Sequence, residues 1–141
     1  MAHNCKALIM HCMDFRFGPE IKIFMQEREL LGDCDLVAFA GAAQNLLKPE
    51  FQSFAQRQID LSKKLHDISE VHLMNHMDCG AYGGHAAFTD LDAEKVAHTS
   101  DLVAAAAIIK AAYPELNVIG WIAHIEEDGH NNKIWFEQVT A

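Results

Sequence analysis

Hydrophobic and polar positions along the chain follow two periods that alternate from the N-terminus onward. Residues 5–11 form a short, mostly apolar run, as in a central parallel strand covered on both faces. Residues 19–31 switch to helical spacing, with Ile21, Phe24, Met25, Arg28 and Leu31 on one side. Pro19 suits a first helical position and Gly32 a stop. Residues 35–40 predict a second strand, and a small-residue turn, residues 41–45, follows it. Gly41 in that turn would let backbone approach a ligand closely, though a tight turn accounts for it equally well. Pro49 opens a helix over about 49–66, with Phe51, Phe54, Ile59, Leu61 and Leu65 as expected core contacts. Residues 70–75 predict a third strand, residues 80–84 a flexible stretch, and residues 85–91 show no clear period. A helical pattern runs from Asp92 to Tyr113 with a narrow apolar face of Leu102, Ala105, Ala106, Ile109 and Ala112, and Pro114 ends it. Residues 117–124 predict a fourth strand, 126–132 a polar turn around Gly129, and 133–139 a fifth strand.

This order is β-α-β-α-β-α-β-β. The last turn is too short for a crossover helix, so the final two strands are expected to be antiparallel. Right-handed crossovers elsewhere favour a three-layer α/β/α fold on a mostly parallel five-stranded sheet of order 2-1-3-4-5. A chain of 141 residues is expected to form one domain, residues 1–141, large enough to bury its own core.

Charge and composition narrow the function by exclusion. A net charge of −9 argues against a nucleic-acid or anionic-membrane surface, since both need clustered Lys and Arg. No apolar run is long enough to span a bilayer and no separate signal-peptide core precedes the first strand, so a cytoplasmic location is expected. Four cysteines in such a protein point to metal ligands or core rather than disulfides. Cys5 and Cys34 lie in strand-like runs and are expected in the core, and Trp121 and Trp135 are expected to serve packing.

The remaining two cysteines stand where chemistry is expected. Cys12 follows the first strand, and His76 and Cys79 follow the third. In the order 2-1-3-4-5 the switch point lies between those strands, where an open α/β sheet places its site. Two thiolates and an imidazole suit zinc. Asp14, two residues beyond Cys12, can ligate the metal or steer its water, and Arg16 can hold that carboxylate still; an ordinary loop salt bridge is the alternative. His11 and His85 are the histidines nearest these motifs that could relay protons, against the commoner packed or surface role. Asp78 is expected to cap the helix after the site. Phe15, Phe17, Phe39 and Tyr82 either line an apolar cleft or pack in the core.

Cys12-x-Asp14-x-Arg16 followed by His76-x-x-Cys79-Gly80 resembles the β-class carbonic anhydrases. Gly120-Trp121-Ile122 with the acidic turn after it resembles the family's last two strands, and the likeness spans about residues 5–139. The resemblance implies one Zn2+ per chain held by Cys12, His76 and Cys79. The fourth position would be taken by water or hydroxide, or by Asp14 in a closed state, with Arg16 holding Asp14 off the metal when the site is active. It implies reversible hydration of carbon dioxide to bicarbonate by a metal-bound hydroxide, and a homodimer or higher oligomer joined through the second strands. Two departures stand out. The first strand starts at about residue 5, without the N-terminal helical arm of many members, and the turn after strand two reads Ala-Gly-Ala-Ala-Gln-Asn rather than Ala-Gly-Asn. Related sequences include zinc hydrolases of carbonyl sulfide or carbon disulfide and members without known carbonic anhydrase activity, so these alternatives stand beside it.

Overall fold

The computed structural model describes residues 3–128 and 131–140. Five strands, β1 (Ala7–His11), β2 (Cys34–Ala38), β3 (Glu70–His76), β4 (Asn117–Asp128) and β5 (Asn131–Thr140), form one sheet of order β2-β1-β3-β4-β5. The first four are parallel, and β5 runs antiparallel to β4. Helices α1 (Gly18–Glu27), α2 (Gln44–Leu47), α3 (Pro49–His66) and α4 (Leu91–Ala112) complete a three-layer α/β/α fold. None of the described helices is long and apolar enough to cross a membrane.

Alternation along β1 shows why both faces must be covered. Leu8 and Met10 join a core with Ile59, Leu73, Leu102 and Ile109 beneath α3 and α4. Ala7 and Ile9 face the opposite way, into a second core with Phe24, Met74 and Trp121 beneath α1. All four β1 residues are 0–1% exposed, as a strand buried on both faces requires.

Several expected core positions are corrected. The first helix stops at Glu27, and Glu29 and Gly32 take left-handed backbone, with φ of 56° and 76°. This rotates Leu31 to the surface, and Leu30 is buried instead. Helix α3 docks through the narrow stripe Ala55, Ile59 and Ser62. Ala55 and Ile59 of that stripe join the core and Ser62 bonds Asp35 of β2, so Phe51, Phe54 and Leu65 point away and are 47%, 61% and 56% exposed. In α4, Ala112 is exposed because the buried stripe runs Glu94, His98, Leu102, Ala105 and Ile109. Cys5 and Cys34 are only half-buried at the core margins, and Trp135 sits on edge strand β5, stacked on His124 and 42% exposed. The β4–β5 connection is tighter than a turn over residues 126–132, because both strands extend into it. Gly129 lies outside the described residues.

Candidate metal centre

Strand ends bring the three proposed ligands together. Cys12 follows β1, His76 is the last residue of β3, and Cys79 lies three residues on, past Asp78, whose left-handed backbone (φ 59°) turns the chain back. One ligand atom from each of the three residues lies within 4.8 Å of those of the other two. The Cys12 and Cys79 sulfurs are 4.0 Å apart. Two thiols so close titrate as a pair. Sharing one proton with the Cys79 thiol outweighs burial and holds Cys12 well below the ordinary thiol range. Holding the shared proton pushes Cys79 up.

The histidine tautomer follows from its surroundings. His76 Nδ1 lies 2.7 Å from the Met77 carbonyl, which can only accept, so Nδ1 carries the proton. The deprotonated Nε2 is buried and has no partner among the described residues. A buried acceptor left bare is costly. This one belongs to a group with two sulfurs, so the donor set fits a thiophilic divalent cation.

Asp14 and Arg16 border this group. Asp14 Oδ2 is 3.9 Å from His76 Nε2. Arg16 grips the carboxylate from both sides, with Nε 3.1 Å from Oδ1 and Nη2 2.8 Å from Oδ2, while its backbone N–H donates to Oδ1 at 2.9 Å. Arg16 is itself anchored by the Asp78 carboxylate (3.2 Å), the Asp78 carbonyl (3.1 Å) and Glu127 (3.4 Å). The guanidinium holds the Asp14 carboxyl below its ordinary range, so Asp14 stays ionised at neutral pH. A small hollow beside the group is lined by His11, Phe17, Ile21, Met74 and Ala123, and the Phe17 ring lies 4.6 Å from that of His76.

The other expected residues are placed as follows. Asp78 does not cap the turn directly after the site; its Oδ1 accepts from the backbone N–H of His85, at the start of the short turn His85–Ala87. His11 donates through Nδ1 to the Cys12 carbonyl, and burial lowers its pKa. His85 is half-exposed and bonded to the carboxylate of Glu94. Phe17 faces the hollow, Phe15 is 87% exposed, and Phe39 packs on the core. Tyr82 belongs to a polar network rather than a cleft. Its hydroxyl donates to Asp101 at 2.6 Å and accepts from Asn75 at 3.0 Å.

That network escaped sequence reasoning. Asn75 joins Tyr82 to buried His98 and accepts from the Ala43 backbone, and Glu94 receives the Asp78 N–H. Glu94 and His98 stand at i and i+4 on the stripe that continues through Leu102, so extending the helical period two turns back would have found them. Burial holds His98 down at about 4, against an ordinary value of 6.5. A histidine depressed in the fold binds fewer protons than in the unfolded chain. Its contribution is therefore present at neutral pH and lost as pH falls through 6.5 towards 4, by about 2 kcal/mol between pH 7 and 5. Urea unfolding should show that loss in the wild type and not in His98→Gln; equal pH slopes would refute it.

An α/β sheet with a Cys-His-Cys group at its switch point defines a class of protein with a candidate metal centre. Residues 2–134 match the family model described as "Putative carbonic anhydrase", and the chain belongs to that family. It is 28% identical over 130 residues to an uncharacterized protein of Rickettsia bellii, covering 88% of this chain and 79% of the relative. It is 26% identical over 130 residues to one of Rickettsia conorii, covering 88% and 70%. The fold is similar to the crystal structure of β-carbonic anhydrase isoform I from Trichomonas vaginalis, with a TM-score of 0.60, 13% identity, and 99% of this chain and 84% of that chain covered.

Proposed function

We propose that this protein is a zinc-dependent carbonic anhydrase, hydrating carbon dioxide reversibly to bicarbonate, with one catalytic zinc held by Cys12, His76 and Cys79. The observation that carries the reading is the bare, buried His76 Nε2 grouped with two thiols and bordered by an Arg16-clamped Asp14. Zinc there would supply hydroxide from water near neutral pH. Arg16 fixes Asp14 in one orientation and keeps it charged. Asp14 Oδ2 would then accept a hydrogen bond from the attacking hydroxide and orient its lone pair towards carbon dioxide. The apolar side chains of Phe17, Ile21, Met74 and Ala123 suit a small nonpolar substrate. Pairing of two copies through β2 is part of the reading. β2 is an edge strand that exposes Leu36, with the exposed Leu65 of α3 bordering the same groove.

The test is stopped-flow carbon dioxide hydration on zinc-loaded protein, from about pH 7 to 9. Metal-dependent turnover lost on chelation is expected. Zinc-loaded protein that is inert towards carbon dioxide but hydrolyses carbonyl sulfide or carbon disulfide would overturn the reading in favour of a hydrolase. Inactivity towards all three would leave a non-catalytic zinc protein.

A further inference from the structure

A second group of metal-binding side chains lies away from this centre. Cys5 stands just before β1, Asp35 in β2 and His66 at the end of α3, and one ligand atom from each lies within 4.8 Å of the other two. Asp35 pairs in register with Leu8, so its carboxylate faces α3 with the core. An acid on that face needs a partner. Two meet it on the same oxygen: Ser62 Oγ donates to Oδ2 at 2.6 Å, and His66 Nδ1 lies 2.7 Å from it.

Backbone bonds tie Cys5 to His66 and its neighbour Lys6 to Asp33. The Cys5 N–H donates to the His66 carbonyl at 3.0 Å, and the Lys6 N–H to the Asp33 carbonyl at 3.0 Å. Charge favours a cation here. The last turn of an 18-residue helix presents its negative dipole end, with Lys64 and an Asp67-paired Lys63 in the same turn, and Asp35 and then Asp33 place negative charge near Cys5. Asp35, Ser62 and His66 also border a groove of about 210 Å³ between β2 and α3.

We propose that Cys5, Asp35 and His66 form a second divalent-metal site that takes zinc, with Ser62 orienting the Asp35 carboxylate. One thiolate, one imidazole and one carboxylate are a mixed donor set that zinc accepts, leaving a fourth position for water. The thiolate and carboxylate together neutralise the ion; loading releases the Cys5 proton to solvent and leaves the His66 proton on Nε2, so that Nδ1, which faces Asp35, is free to ligate. Closing these donors around zinc needs only short side-chain shifts, since zinc–ligand bonds are about 2.0–2.3 Å.

The test is titration of chelator-stripped protein with Zn2+ alone against a chromophoric competitor. Wild type is expected to take two equivalents per chain. Cys5→Ser and His66→Gln should each take one, as should Cys12→Ser, which keeps the other. Ser62→Ala should keep both but bind the second about tenfold more weakly, as loss of an orienting bond does. Should a variant fail to fold, Co2+ titration of the wild type decides alone: its thiolate-to-cobalt band should grow in two steps, with the second half the first. One equivalent in the wild type, unchanged by Cys5→Ser and lost in Cys12→Ser, overturns the second site and leaves the proposed function intact. Two equivalents of which Cys12→Ser removes neither would overturn the proposed function instead.

Discussion

Asp14→Asn is expected to lower carbon dioxide hydration by at least about 100-fold with zinc still bound, in the range set by losing a positioned proton acceptor. The substitution is nearly isosteric, so Cys12, His76 and Cys79 keep their places. A carboxylate offers about four acceptor sites. Three Arg16 donors meet it, the backbone N–H at Oδ1, Nη2 at Oδ2 and Nε shared between the two oxygens at 3.1 and 3.2 Å, while Oδ2 also faces His76 Nε2. In asparagine one oxygen becomes an NH2 donor. Either that group meets the Arg16 donors, which cannot accept, or it faces the reacting oxygen and donates where Asp14 accepted. Both arrangements remove the ionised acceptor that Arg16 maintains. The fall should therefore appear in kcat with zinc content unchanged. If Asp14 only braced the loop through Arg16, stability would drop and kcat would hold, and undiminished turnover would sink the catalytic assignment.

The sheet order was legible because each period change marks one element, and because a seven-residue connection cannot cross over a sheet. Cys12, His76 and Cys79 could be grouped from sequence because each follows a strand that the topology sets beside the other. What resisted were choices that depend on which side of a helix docks. In α3 the largest apolar residues repeat at helical spacing, yet the side that faces the sheet is Ala55, Ile59 and Ser62, with Ser62 bonded to Asp35 of β2. In α4, no motif marks Glu94 or His98 as buried. Their burial follows from partners, the Asp78 N–H and Asn75, supplied by the β3 segment far away in sequence. The full anchoring of Arg16 was equally hidden, because Asp78 and Glu127 reach it across 62 and 111 positions of chain.

The layer beneath α1 yields the largest expected effect on stability. Phe24 is 0% exposed and packs edge-on against Trp121 and Phe136, each with centroids 5.0 Å away, and against His72 at 6.0 Å. The Arg28 guanidinium lies over its ring at 3.9 Å. Truncation would remove that aromatic payload and leave a void between helix and sheet that rigid neighbours cannot fill. Phe24→Ala is expected to cost about 3–5 kcal/mol of unfolding free energy, the range for phenylalanine truncated in a core. The loss should appear as a lower urea midpoint at an unchanged slope, since the surface exposed on unfolding stays nearly the same. Phe24→Leu, which keeps most of the volume, should recover more than half of it. The effect also bears on the metal centre. The same helix carries Ile21 beside the hollow and follows directly from Phe17, whose ring lies against His76. A loosened α1 layer should therefore weaken zinc retention at Cys12, His76 and Cys79 in Phe24→Ala and not in Phe24→Leu. A stability loss under about 1.5 kcal/mol, well short of that range, would mean that α1 is not packed on the sheet in this way.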